Sequence, residues 1–188
     1  VIYLDHEFPD GKIDWFYNPT IARPELPRNH EWQWQLGRMS YWYNLGRAYW
    51  GTGDERYAQT FVQHVRSWAR DCPRPDNSGN GAGSPWRTIE CGIRMGGSWP
   101  HAWHYFLHSP SFTDADMALF LKVCYEHSLH LVKHRTSGNW LTMEMSGLYT
   151  TGALFPEFRA ARAWRKLATD ALYEELSTQF LPDGAQIE

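Results

Sequence analysis

Two apolar stripes at helical spacing, separated by only six residues, constrain this chain more than any other feature. Met39, Trp42, Tyr43, Gly46, Tyr49 and Trp50 recur at steps of three and four, and Tyr57, Phe61, Val65, Trp68 and Cys72 repeat the pattern. Between them lies Gly51-Thr-Gly-Asp54, where glycine stops one helix and Asp54 caps the next. Long helices joined by so short a connection are predicted to pair antiparallel.

The pattern continues to the end of the chain. A helix from Trp86 carries Arg87, Glu90 and Arg94 on one face, and Pro100 is predicted to kink or end it. Thr113 and Asp116 form a capping box for a helix through Met117, Phe120, Leu121, Cys124 and Leu131. Ser137 and Asn139 make a polar entry to a helix with Leu141, Met145, Leu148, Tyr149 and Gly152. Pro156 is read as the start of a last helix through Ala161, Trp164, Leu167, Ala168, Ala171, Leu172 and Leu176. No strand-like alternation of useful length occurs. The reading is all-α, with residues 1–30 an irregular, proline-punctuated lead-in and residues 31–188 a domain of antiparallel helix hairpins. Such hairpins close into a bundle, a solenoid or an α/α toroid, and periodicity does not choose among them. The turn-rich stretch 73–85 is long enough to be either functional or mobile.

Charge and composition exclude several classes. A net charge of −3 gives no global attraction to nucleic acid or to an anionic membrane, so an acidic polymer would need a locally basic groove. Cys72, Cys91 and Cys124 have no metal-ligand spacing and read as buried free thiols. No apolar run approaches the ~20 residues of a membrane span, and no secretion signal follows Val1. His101, His104 and His108 share one helical stripe, but no third ligand stands at a telling distance, so they read as surface or partly buried imidazoles. The excess is aromatic: 11 Trp, 10 Tyr and 9 Phe make 16% of the chain. Some of these rings must be core; others suit stacking on the flat apolar faces of sugars.

Several side chains have two readings. Asn139 is either a plain helix cap or a neutral amide donor aimed into a cleft. Arg87 and Arg94 suit planar anions through the guanidinium fork, or else both pair with Glu90 along their own helix. Glu144, five residues after Asn139, points in another direction and would either orient a cleft residue or join a buried ion pair. Trp140 either stacks on a sugar or packs. Tyr149 and Tyr173 sit in or beside apolar stripes and are expected to be packed.

Four segments in order resemble the heparinase II/III-like polysaccharide lyases: LGRMSYWYNLGRAYWGTGDERYAQTF, WRTIECGIRMGGSW, GNWLTMEMSGLYTTGALFPEFRAARAWR and the terminal DGAQIE. The resemblance implies the N-terminal part of an incomplete (α/α) toroid, with a C-terminal β-sandwich domain following in a longer chain. It implies cleavage of uronic-acid glycans, heparin- or heparan-sulfate-like or alginate-like, by β-elimination. There the C5 proton beside the carboxylate is removed and the glycosidic oxygen at C4 leaves, which requires hydrogen bonds or positive charge at the carboxylate. By resemblance Asn139 is the carboxylate neutraliser, and Arg87, Arg94, Trp140 and Glu144 are candidate substrate contacts. The catalytic tyrosine is expected beyond Glu188, with Asp183 and Glu188 shaping the loop that bears it. The family often places His directly after this Asn, where this chain has Trp140. No metal or cofactor is implied, and the compartment implied is periplasmic or secreted. Two other readings stand beside this one. One is a non-catalytic carbohydrate-binding helical domain. The other is an α/α-barrel glycoside hydrolase, whose opposed carboxylates would come from Glu90, Glu144 and Asp183.

Overall fold

Residues 4–187 are described by the structure, a computed structural model. Among them run α1 (Pro19–Ala22), α2 (Glu31–Arg38), α3 (Trp42–Thr52), α4 (Glu55–Asp71), α5 (Thr88–Gly96), α6 (Ser98–Phe106), α7 (Asp114–His134), α8 (Gly138–Leu154) and α9 (Ala161–Gln179). No strand occurs among the described residues, only an isolated antiparallel bridge between Phe180 and Gln186.

The α3–α4 turn forms as the sequence requires. Gly53 takes a left-handed conformation (φ 68°) to end α3, and the Asp54 side chain accepts from the Arg56 N–H to start α4. Trp42 then meets Phe61 and Tyr49 meets Glu55, the opposed numbering of an antiparallel pair. The α5–α6 pair returns along α7 in the same way, Trp103 lying near Phe120 and Arg94 near His127. In the third hairpin Gly152 of α8 abuts Ala161 and Trp164 of α9, while the Gly138 N–H reaches Glu175.

The hairpins stack side by side, so the helices sort into two rows. In the first row, α2–α3, α5–α6 and α8 run parallel. Arg38 meets Glu90, Tyr43 meets His101, Trp50 meets Tyr105, and Arg87 lies beside Trp140. The second row is α4, α7 and α9, with Tyr125 of α7 against Trp164 of α9. Two rows of hairpins are an arc of an (α/α) toroid. The core lies between the rows: Trp42, Phe61, Trp68, Trp99, Phe106 and Phe120 on one side, Trp86, Leu131, Met145, Leu148 and Trp164 on the other. Trp15 of the lead-in is buried in the first of these clusters, and its indole N–H donates to Ser67.

Three local expectations shift. The break attributed to Pro100 falls at Gly97, between α5 and α6, which leaves Pro100 in the first turn of α6, where its missing N–H costs little. The last helix begins at Ala161 rather than Pro156. Residues 155–160 instead form turns that bury Phe155, with Phe158 N–H donating to Phe155 O. Tyr43 and Trp50, read as part of the apolar stripe of α3, lie on its outer flank, and Trp50 is 60% exposed.

At the crossing of α5 and α8 the two backbones touch. A Cβ on Gly92 would lie 2.5 Å from Met143 O, and one on Gly147 would collide with Gly92 O. This contact brings the N-terminal ends of the two helices together, and the candidate site is there.

Candidate functional site

Arg87 immediately precedes α5, and its guanidinium lies between two indoles: 3.5 Å from the Trp34 ring centroid of α2 and 4.6 Å from that of Trp140 in α8. Stacking on both sides leaves the in-plane N–H groups as its available donors. One makes a long 3.4 Å bond to Glu90 Oε1. Glu90 is already occupied, because Arg38 donates to both of its oxygens at 2.7 and 3.2 Å. Arg38 also bonds Glu31 at 3.0 Å, so each of its three nitrogens is engaged with a carboxylate. Arg87 is therefore the weakly compensated cation of the cluster, with only 11% of its side chain exposed. Burial pulls its pKa down from the ordinary arginine value; Glu90 works against that, and the neighbouring Arg38 adds to it. An anion arriving in the plane of Arg87 would relieve this imbalance.

Asn139 is not the cap of α8. The cap is Ser137, and Asn139 is the second helical residue, half-buried. With Met143, Ser146 and Thr150 it lies on the side of α8 opposite Leu141, Met145, Leu148 and Gly152, which pack on α9. It therefore faces away from the second row. Arg87 and Trp140, both read from sequence as candidate substrate contacts, lie side by side where α5 and α8 begin, and Asn139 directly precedes Trp140.

Arg94 and Glu144 depart from the expectation of substrate contact. Arg94 is fully buried. Its donors go to Gly37 O, Pro85 O, Cys91 Sγ and His127 Nε2, and its guanidinium lies over Trp68. His127 Nδ1 sits 2.8 Å from Val123 O, so the proton is on Nδ1 and Nε2 accepts from Arg94. Burial and the adjacent guanidinium hold the His127 pKa well below the ordinary value. Arg94 thus ties α2, the 73–85 segment and α7 to α5. Glu144, also fully buried, accepts from the Thr136 N–H and hydroxyl at 2.7 and 2.9 Å and fixes the α7–α8 connection. It joins no ion pair among the described residues.

Tyr149 and Tyr173 are not packed; they are 44% and 71% exposed. Tyr149 lies ten residues beyond Asn139, about 15 Å along the helix, and on another side. Asp183 sits in the exposed tail, accepting from the Ala185 N–H, and Glu188 lies outside the described residues. The three cysteines are buried and free; burial pushes the Cys72 and Cys91 thiols up to about 12, so neither is a nucleophile at neutral pH. Among the described residues no group of three or more His, Cys, Asp or Glu is arranged to hold a metal ion, and no helix is long and apolar enough to cross a membrane. Trp34 and Arg38 were missed from sequence, although Glu31, Gln35 and Arg38 recur at four and three on α2 and mark a polar face.

The first row also sorts charge. Among α3, α5, α6 and α8 the only carboxylates are Glu90 and Glu144, both buried. The acidic residues that make the chain net negative lie largely on α4, α7 and α9 and in the segments flanking the helices.

Comparison with known proteins completes the picture. The sequence matches the family described as Heparinase II/III N-terminus over residues 2–188. It is 32% identical to a heparin-sulfate lyase of Bacteroides stercoris, covering 94% of this chain and 28% of that protein. The fold superposes on a crystal structure of heparinase III with a TM-score of 0.83 at 29% identity, covering 95% of this chain and 26% of the other. It superposes on heparan sulfate lyase HepC from Pedobacter heparinus with a TM-score of 0.79 at 31% identity, covering 93% and 26%. The chain thus spans about a quarter of the length of the relatives it matches.

Proposed function

The chain belongs to the heparinase II/III family through its N-terminal region, and on that premise we propose that it is the glycan-holding helical part of a polysaccharide lyase acting on acidic, uronate-containing polymers such as heparan sulfate. The observation that carries this reading is the Arg87 guanidinium held between Trp34 and Trp140, on a row of helices whose one partly exposed carboxylate, Glu31, is already bonded to Arg38. A sugar ring stacks on the Trp140 indole while its carboxylate meets Arg87 or the Asn139 amide.

In the elimination a base takes the C5 proton, its electron pair forms the C4–C5 double bond, the C4–O bond breaks, and the departing oxygen takes a proton. Negative charge grows on the carboxylate as the proton leaves. A neutral amide donor such as Asn139 binds that charge more strongly in the transition state than in the ground state. The proton-transfer tyrosine is placed beyond Glu188, and a β-sandwich domain of the longer chain is proposed as the other wall of the cleft. A periplasmic or secreted location follows from the polymeric substrate.

The hydrolase alternative loses support because Glu90 and Glu144 are buried and already engaged, so they cannot flank a glycosidic bond. The decisive experiment uses the longer lyase and follows the near-ultraviolet absorbance of unsaturated product. Asn139→Ala is expected to lower kcat far more than it raises KM. Unchanged turnover removes Asn139 from the mechanism. The 188-residue chain alone is expected to bind uronate oligosaccharide with little turnover, and robust turnover would place the base within these residues.

A further inference from the structure

The far end of the first row carries a second group of rings and cations that the Arg87 slot does not use. Tyr43, Arg47 and Trp50 recur at four and three along α3, on the flank turned away from α4. Beside them, His101 and His104 recur at three on the exposed side of α6. The two stripes touch. Tyr43 and His101 rings are 4.7 Å apart, and the Trp50 ring is 5.8 Å from His104 and 4.8 Å from Tyr105.

Trp50 is 60% exposed, yet it is held in place. Its indole N–H donates to Tyr105 O at 2.8 Å, and its ring meets the Tyr105 ring edge-on. Tyr105 is itself seated against Gly46, where any Cβ would collide with its ring. An exposed indole fixed by a hydrogen bond and a ring contact is a preorganised stacking surface, not a side chain left over from core packing. Arg47, exposed, has no ion-pair partner among the described residues. Neither α3 nor α6 contains a carboxylate.

We propose that Trp50, Tyr43, Arg47, His101 and His104 form a distal subsite, which holds a second stretch of the same acidic glycan that the Arg87 slot binds. This rests on the acidic-glycan reading above. Fourteen residues separate Arg87 from His101, about 20 Å along α5 and α6, and sixteen separate Trp34 from Trp50, about 24 Å. The helices that carry the two groups, α2–α3 and α5–α6, lie side by side in one row, so one extended chain reaches both. Trp50 stacks on the apolar face of a sugar, Arg47 takes a carboxylate or sulfate, and the imidazole N–H groups donate to hydroxyls. The two subsites together bind a long chain more tightly than either alone, because the second contact becomes intramolecular.

The test is calorimetric titration of the chain with heparan sulfate oligosaccharides of two lengths, one too short to span the groups and one long enough. The wild-type chain is expected to bind the long form at least about tenfold more tightly than the short. In Arg47→Glu and, separately, Trp50→Ala, that difference is expected to vanish while the short form still binds at the Arg87 slot. Circular dichroism confirms the fold, and Arg47→Glu keeps the test decisive if Trp50→Ala unfolds. Equal affinity of the two lengths in the wild type, or a length difference that survives both substitutions, overturns the distal subsite and leaves the Arg87 slot standing. Absence of binding at either length overturns the acidic-glycan reading and this subsite with it.

Discussion

The crossing of α5 and α8 sets the separation of Arg87 from Trp140 and Asn139, and one methyl group tests it. In Gly147→Ala the new Cβ meets the Gly92 carbonyl oxygen, with Gly92 Cα at 2.8 Å and C at 3.0 Å. In Gly92→Ala it meets Met143 O at 2.5 Å, Met143 C at 2.6 Å and Glu144 Cα at 2.7 Å. Every one of these atoms is backbone, so no rotamer change relieves the overlap and the helices must separate by roughly 1 Å. A gap of that size forfeits about a quarter to a half of the dispersion attraction of the contacting atoms. Overpacking of this kind costs about 1–3 kcal/mol, and the better helix propensity of alanine returns up to ~1 kcal/mol. Each substitution is thus expected to destabilise by ~1–2 kcal/mol. Because one separation relieves both overlaps, the double variant should cost less than the sum of the singles. Gly51→Ala is the control: it sits near the end of α3 with nothing within 4 Å of its Cβ, and should gain ~0.5 kcal/mol. The assay is urea unfolding followed by far-ultraviolet circular dichroism, with oligosaccharide affinity measured in parallel. Gly147→Ala as stable as the wild type, alongside a stabilised Gly51→Ala, would refute the close approach.

Three further outcomes are expected. Burial lowers the pKa of His64 and His130 to about 4 and that of His127 well below the ordinary value, so the unfolded chain takes up protons first as pH falls. Stability is complete above the unfolded histidine pKa of about 6.5 and is lost toward pH 4, with His64 and His127 together giving up to ~3 kcal/mol per pH unit and His130 adding in the same direction. Urea midpoints that do not move between about pH 7 and pH 5 would contradict this. Glu90→Ala strands Arg38 and Arg87 and should cost ~3–5 kcal/mol, part of which a second change, Arg38→Met, recovers in a double-mutant cycle. Thr113→Ala removes the capping box of α7 and should cost ~1 kcal/mol without changing glycan affinity; a change in affinity would show that the cap reaches the site.

What could be read from sequence was whatever depends on near neighbours. The Gly51–Asp54 turn, the Thr113–Asp116 box and the Arg87–Glu90 pair each involve residues within four positions, and all are present. What could not be read depends on which helices meet. Arg87 and Arg94 look alike on a helical wheel, but α2, α4 and α7 close over Arg94 while Arg87 stays at the mouth of α5. Glu90 looked like the partner of both arginines, yet its strongest bond is to Arg38, fifty-two positions away. The start of α9 was misplaced for a related reason: Pro156 permits a helix, but burying Phe155 calls for a turn there.

The tryptophans carry the functional argument one step further. Of the eleven in the chain, Trp15, Trp32, Trp42, Trp68, Trp86, Trp99 and Trp164 are buried in the core clusters and Trp103 packs against one of them. Only Trp34, Trp50 and Trp140 stand outside, and all three belong to first-row helices. A sequence pattern does not separate them: Trp42 and Trp50 fit one stripe of α3, yet 80° of helical rotation puts one under Phe61 and leaves the other exposed. Two of the three clasp Arg87, and the third lies beside His104 and one turn from Arg47. Apolar rings left half or fully open to solvent cost free energy unless something covers them. Placed beside cations on helices whose one partly exposed carboxylate, Glu31, is bonded to Arg38, they suit a partner that is flat and apolar on its faces and anionic at its edges, which is the description of a uronate sugar.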